Sequence, residues 1–111
     1  MLTPHRSQQL LAALLEDYPG QIITGYILDV QVQSYCLVGN IYKSRSHQDG
    51  ERVIAEIDEV LDYGDRYLVR SGEYDCFVIV NFHPHGGRRA MTKTLELFEN
   101  AARLGSKFTC H

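Results

Sequence analysis

The chain has 111 residues, 44% of them hydrophobic and 23% charged, with a formal net charge of −3. These values fit one globular core spanning residues 1–111 and argue against a disordered segment. The acidic balance tells against nucleic acid as a partner, since duplex binding needs clustered Lys and Arg against phosphate.

Thr3-Pro4 supplies a hydroxyl cap followed by the residue favoured at the first helical position. Leu10, Leu11, Ala13, Leu14 and Leu15 fall mostly on one side, which predicts an amphipathic helix to about Asp17, ended by Pro19-Gly20. From Gln21 to Lys43 the residues become β-branched and aromatic. Thr24, Tyr26, Leu28, Val30 and Val32 alternate with polar neighbours, the period of a half-buried strand. So long a run requires a turn, expected near residues 31–34, and Gly39 inside the second strand suggests a bulge or strong curvature. Residues 44–50 form a polar loop ending in Asp49-Gly50.

Arg52 to Leu61 reads as a third strand, and Asp62-Tyr63-Gly64-Asp65 as a turn. A short strand over residues 66–70 and a Ser71-Gly72 turn lead into an apolar strand over residues 73–82. A helix is predicted from about Ala90 to Leu104, with Met91, Leu95, Phe98, Ala101, Ala102 and Leu104 at helical spacing and Gly105 as its stop. This order predicts an α+β fold: an N-terminal helix, an antiparallel meander of about five strands and a C-terminal helix. Long strands with interior glycine favour a curled sheet or a partly open small barrel. The competing arrangement is a flatter sheet with both helices on one face.

Cys36, Cys76 and Cys110 show no C-x-x-C spacing and leave one thiol unpaired whatever is bridged. Such a set points to a reducing cytoplasm, with Cys36 and Cys76 as small buried residues and Cys110 as an accessible thiol. The first residues carry no leader pattern. No apolar run approaches the roughly 20 residues that span a bilayer. A soluble cytoplasmic protein without membrane contact is expected.

The segment His83-Pro84-His85-Gly86-Gly87-Arg88-Arg89 is the first candidate site. It lies between a strand and a helix, where backbone N–H groups, the positive helix end and two guanidinium groups could converge on an anion; the plainer reading is a polar glycine-containing connection that caps the helix. It lacks the Lys-Ser/Thr ending of a phosphate loop and the G-x-G-x-x-G spacing. His83 and His85 could approach one metal, with His47 and Asp58 or Asp62 as further ligands, but nothing in the spacing brings them together. Neither a metal nor another cofactor is expected. No catalytic residue stands out either: Ser44 and Ser71 lie in turns without a nucleophile-elbow setting, and Cys76 faces a core. The second candidate site is the acidic stretch Glu56, Asp58, Glu59 and Asp62, which suits a basic protein surface. Tyr26, Tyr35, Tyr42, Tyr67 and Tyr74 lack the basic groove of a stacking surface and are read as packing residues.

Residues 37–74 also carry a pattern: Leu37-Val38-Gly39-Asn40-Ile41-Tyr42-Lys43-Ser44, then Asp49-Gly50 and Val53-Ile54, then Tyr67-Leu68-Val69 and Ser71-Gly72-Glu73-Tyr74. This resembles short uncharacterised bacterial and phage proteins with a Gly–aliphatic–Tyr–x–Ser strand end and two turns. Arg45-Ser46-His47 and Ala55-Glu56 depart from their pattern. The resemblance implies a β-rich module of mobile-element or phage type and transfers no catalytic residue. The leading expectation is therefore a non-enzymatic interaction module that binds a protein partner through the acidic stretch and forms a homo-oligomer through exposed strand edges. The alternative is a small-ligand protein, or a minor enzyme, using residues 83–89 for an anion.

Overall fold

The computed structural model describes residues 2–103, with side chains as far as Leu97. Thr3 opens the first helix, α1 (Pro4–Leu15), its hydroxyl accepting the Arg6 N–H at 3.2 Å. Leu10 and Ala13 are its buried residues. The helix stops two residues before the expected Asp17 because Glu16 turns to extended backbone. Tyr18 then folds back and donates its hydroxyl to the Ala13 carbonyl at 2.9 Å, satisfying one of the carbonyls that a helix end leaves unpaired.

Six strands follow: β1 (Gly25–Gln33), β2 (Cys36–Tyr42), β3 (Glu51–Glu56), β4 (Glu59–Asp62), β5 (Tyr67–Ser71) and β6 (Asp75–Ile79). The chain ends its described part in α2 (Gly87–Arg103). The expected antiparallel meander of about five strands is corrected on two points. The sheet has the order β3-β2-β1-β6-β5-β4, and its central pair, β1 with β6, is parallel. Two antiparallel halves, β1-β2-β3 and β4-β5-β6, are thus joined side by side. The local turns that build each half are legible in sequence, whereas the join pairs Gly25 with Phe77 and Ile27 with Ile79 across half the chain. The β1–β2 turn, expected near residues 31–34, falls at Ser34-Tyr35 because 31–33 still pair with β2; its φ values of 51° and 61° are the two-residue hairpin geometry that matches strand twist.

The single strand expected over 52–61 divides at Ile57-Asp58. Ile57 donates its N–H to Tyr35 beyond β2, and Asp58 donates to Arg70 on β5, each at 3.0 Å. This link joins the two outer strands of the sheet. Laid flat, they would lie about 24 Å apart, five inter-strand spacings. The chain from Glu56 to Glu59 reaches at most about 11 Å. The sheet is therefore bent until its outer strands meet at this end, yet it stays an open sheet, with β3 and β4 outside each other's ladders.

Each face carries its own core. Ile27, Val30, Leu37, Ile41, Val53, Ile57, Val69, Phe77 and Ile79 gather with Met91 of α2, and Val60 and Leu95 pack against them. Residues from both outer strands share this cluster, which makes it the concave face. Leu28, Leu68, Cys76, Val78 and Val80 pack against Leu10, Ala13 and Tyr18 on the other side. The helices thus cover opposite faces, unlike the competing arrangement with both on one. The expectation that Tyr26, Leu28, Val30 and Val32 share a face also fails. Tyr26 and Leu28 belong to the α1 side, while Val30 and Val32 belong to the α2 side. A register shift between Leu28 and Gln31 reverses the alternation.

Cys76 is buried as expected, but Cys36 is only half-buried. The expected apolar positions Phe98, Ala101, Ala102 and Leu104, the Gly105 stop and Cys110 lie outside the described side chains. Among the described residues no helix is long and apolar enough to cross a membrane.

Burial, and then the nearby Glu16 carboxylate, push the Tyr18 hydroxyl from its ordinary value of 10.0 up to about 12. Between these values the unfolded chain releases a proton that the folded chain keeps. The stabilisation is complete below pH 10 and is lost as pH rises toward 12. Denaturant unfolding at pH 9, 10 and 11 should show stability falling across this interval. Tyr18→Phe should flatten the fall without abolishing it, because burial also raises Tyr26 and Tyr42. An unchanged slope in the variant would remove Tyr18 as the cause.

Candidate functional site

The register shift in β1 is a bulge centred on Asp29, whose φ of 55° lies in the left-handed region. Asp tolerates that conformation better than most residues. Opposite it stands Gly39, where a Cβ would come within 2.7 Å of the Leu28 carbonyl oxygen. The glycine therefore marks a bulge, as expected, but the bulge is on the partner strand.

Side chains from two other parts of the chain, α1 and the segment after β6, close on Asp29. Its N–H donates to Asn81 Oδ1 at 2.6 Å, and Asn81 Nδ2 donates to Gln9 Oε1 on α1 at 2.9 Å. Arg6, one turn earlier on α1, reaches the Asp29 carboxylate at 3.1 Å. Past β6 the backbone follows the bulge, with the Val30 N–H on the Asn81 carbonyl at 3.1 Å and the His83 N–H on the Val30 carbonyl at 2.9 Å.

The Val30 carbonyl also sets where α2 begins. A Cβ at Gly87 would collide with that oxygen, so only glycine lets the helix start this close to β1. The helix accordingly opens at Gly87, inside the expected loop and three residues before Ala90. Gly86 precedes it with φ 90°, and its carbonyl accepts the Ala90 N–H at 3.0 Å. No acidic residue stands in the first turn.

Along this junction runs an open cleft of about 550 Å³, lined by Gln9, Asn81, His83, Gly86, Arg88 and Arg89 with Val80, Phe82 and Pro84. No carboxylate lines it. The Arg88 guanidinium lies 4.6 Å above the Phe82 ring, which holds it across the cleft wall. Among the described residues neither Arg88 nor Arg89 has a carboxylate partner. A smaller recess of about 260 Å³ adjoins it through Val80, Phe82 and Arg88, and includes Arg66 and Asp65. Two cations, a helix N-terminus and amide side chains facing one open space provide attraction and hydrogen-bond donors for an anion.

His83 and His85 are brought together, with ring centroids 5.3 Å apart. His83 Nδ1 accepts the His85 N–H at 3.1 Å, so that nitrogen serves the loop. His47 stays in the β2–β3 loop, 3.4 Å from the Ser44 hydroxyl and 3.7 Å from a Glu51 carboxylate oxygen. Among the described residues no group of three or more His, Cys, Asp or Glu could hold a metal ion.

Three of the four acidic candidates are engaged within their own chain. Asp58 accepts the Gly72 N–H at 2.6 Å, Asp62 accepts the Gly64 N–H at 2.9 Å, and Glu59 lies 3.6 Å from Arg70. They fasten turns and strand ends, and Glu56 alone projects without such a partner among the described residues. Burial pushes the Cys76 thiol up, which makes it a poor nucleophile. The tyrosines divide between the faces: Tyr26 and Tyr42 join the α1 side, Tyr67 the α2 side, and Tyr74 is 85% exposed.

Sequence reasoning missed Arg6, Gln9, Asp29 and Asn81. Asn81 left a trace, as the one amide interrupting the apolar run from Cys76 to Phe82. No family model matches this sequence, and comparison with curated proteins and with solved structures finds no match.

Gly87→Ala should cost about 1–3 kcal/mol of stability through enforced displacement of α2 from β1. Asn81→Ala should cost about 1–3 kcal/mol by leaving the Asp29 N–H unanswered. Urea denaturation reads both, and wild-type midpoints would show that the junction bears no such strain.

Proposed function

We propose that the protein is a non-enzymatic binding module that takes a small phosphate-bearing molecule in the cleft between β6 and the start of α2. The reading rests on one observation: Arg88 and Arg89, without carboxylate partners among the described residues, line a carboxylate-free cleft at a helix N-terminus. A cleft of about 550 Å³ lies within the size range of small-molecule sites. Its lining is largely polar, which suits a charged ligand held by hydrogen bonds and guanidinium contacts. Gln9 and Asn81 add amide groups, although each already serves the other.

A protein partner at the acidic strand is the weaker alternative, because Asp58, Glu59 and Asp62 are occupied locally. The likeness of residues 37–74 to bacterial and phage proteins covers β2 to β5 and none of the cleft, so it bears on neither reading.

Amide NMR titration with inorganic phosphate, and then with nucleoside mono- and diphosphates, provides the test. Shifts should concentrate at residues 83–90, with Gln9 and Asn81, and the affinity should fall as salt rises. Arg88→Ala combined with Arg89→Ala should weaken binding by about tenfold or more while leaving the melting temperature nearly unchanged. Equal binding by wild type and variant, or shifts only elsewhere, would refute the reading.

A further inference from the structure

β3 is one open edge of the sheet, paired on a single side with β2. The bond from Ile57 N–H to the Tyr35 carbonyl fixes the alternation of that ladder. Ile57, Ala55 and Val53 turn their backbone groups toward β2, and Glu56, Ile54 and Arg52 turn theirs outward. The outward series stops there, because the Asp58 N–H is already taken by Arg70.

The same three residues also share a sheet face. Val53 and Ala55 between them point into the α2-side core, so Arg52, Ile54 and Glu56 project from the other face. Ile54 is 72% exposed. Arg52 and Glu56 are exposed as well, and among the described residues neither has an ion-pair partner. An open edge thus presents a cation, an aliphatic side chain and an anion at successive outward positions.

We infer that β3 pairs antiparallel with β3 of a second copy of this chain, in the register that sets Ile54 against Ile54. In that register Arg52 lies opposite Glu56 of the second copy, and Glu56 opposite its Arg52. The three resulting pairs are those whose backbone groups face outward, so each can exchange two N–H···O bonds. The two-fold axis makes both ion pairs equivalent and brings the isoleucines together on one face. Registers centred on Arg52 or on Glu56 would set like charges against each other. The opposite edge, β4, has four residues including Glu59 and Asp62, so pairing with itself would gather carboxylates. The contact is short of a standard protein interface, so the dimer is weak and depends on concentration. It is separate from the cleft and stands whether or not an anion binds there.

Sedimentation of the whole chain from about 1 µM to about 1 mM at low salt provides the test. The wild type should pass from monomer to dimer over this range. Arg52→Glu and Glu56→Arg should each weaken dimerisation by about tenfold or more, by opposing like charges. An equimolar mixture of the two variants should regain it, as should the double variant R52E/E56R. Ile54→Lys is a further disruption that leaves both ion-pair positions intact, and melting curves confirm that each variant folds. A wild type monomeric throughout would overturn the inference. So would a dimer that neither charge reversal weakens, which would place the contact elsewhere, such as at exposed Leu11 and Leu15 of α1. Failure of the mixture to associate would also overturn it.

Discussion

The bulge at Asp29 is the constraint on which the rest of the molecule depends. A strand in the middle of a sheet has both backbone edges committed to neighbours, so an extra residue there must be satisfied from outside the regular ladder. Here the Asn81 side chain supplies the acceptor, Gln9 orients Asn81, and Arg6 neutralises the carboxylate that the bulge exposes. The bulge thereby fixes the position of α1 on one face. By reversing the alternation of β1 it also directs Val30 toward the other face, where the Val30 carbonyl receives the His83 N–H and meets Gly87. Both helices are therefore placed by the same two residues of β1.

Curvature has a separate origin. The link at Ile57-Asp58 ties two outer strands that a flat sheet would hold far apart, and the hydrogen bonds to Tyr35 and Arg70 show the chain changing partners within one residue. Ile57 itself is buried at that crossing, which gives the bend an apolar anchor. A sheet bent in this way offers a concave face deep enough to receive α2 and a convex face on which the shorter α1 lies. The arrangement needs no barrel closure, and it leaves β3 with one free backbone edge.

What the sequence disclosed follows the range of the interactions involved. The Thr3-Pro4 helix start, the Asp49-Gly50 turn and the burial of Cys76 depend on near neighbours and strand periodicity and were legible, and so was the need for a reversal near 31–34, although it falls at Ser34-Tyr35. The parallel pairing of β1 with β6 was not, because no local signal states that residues about fifty positions apart lie side by side. The strand reading over Arg52–Leu61 failed for a similar reason: its alternation continues through Ile57, while its partner changes. At the candidate site, segment 83–89 could be seen as a run of glycine, histidine and arginine. The groups that give it shape, Gln9 and Asn81, come from distant segments and are joined by a single amide–amide bond.

This origin has a physical consequence for the cleft. A helix N-terminus on a mobile loop attracts an anion weakly, because ordering the loop offsets part of the gain. Here the first turn of α2 is held by a contact at Gly87 that admits no Cβ, and the segment before it is held by backbone bonds to Val30. The cations at Arg88 and Arg89 therefore project from a backbone that is already fixed, and Phe82 restricts the Arg88 side chain further. A ligand in the cleft would touch α1 through Gln9, the segment after β6 through Asn81 and α2 through its arginines. A ligand there would bridge the same segments that the bulge and the Gln9–Asn81 bond hold together, so its affinity and the stability of the junction would be thermodynamically linked.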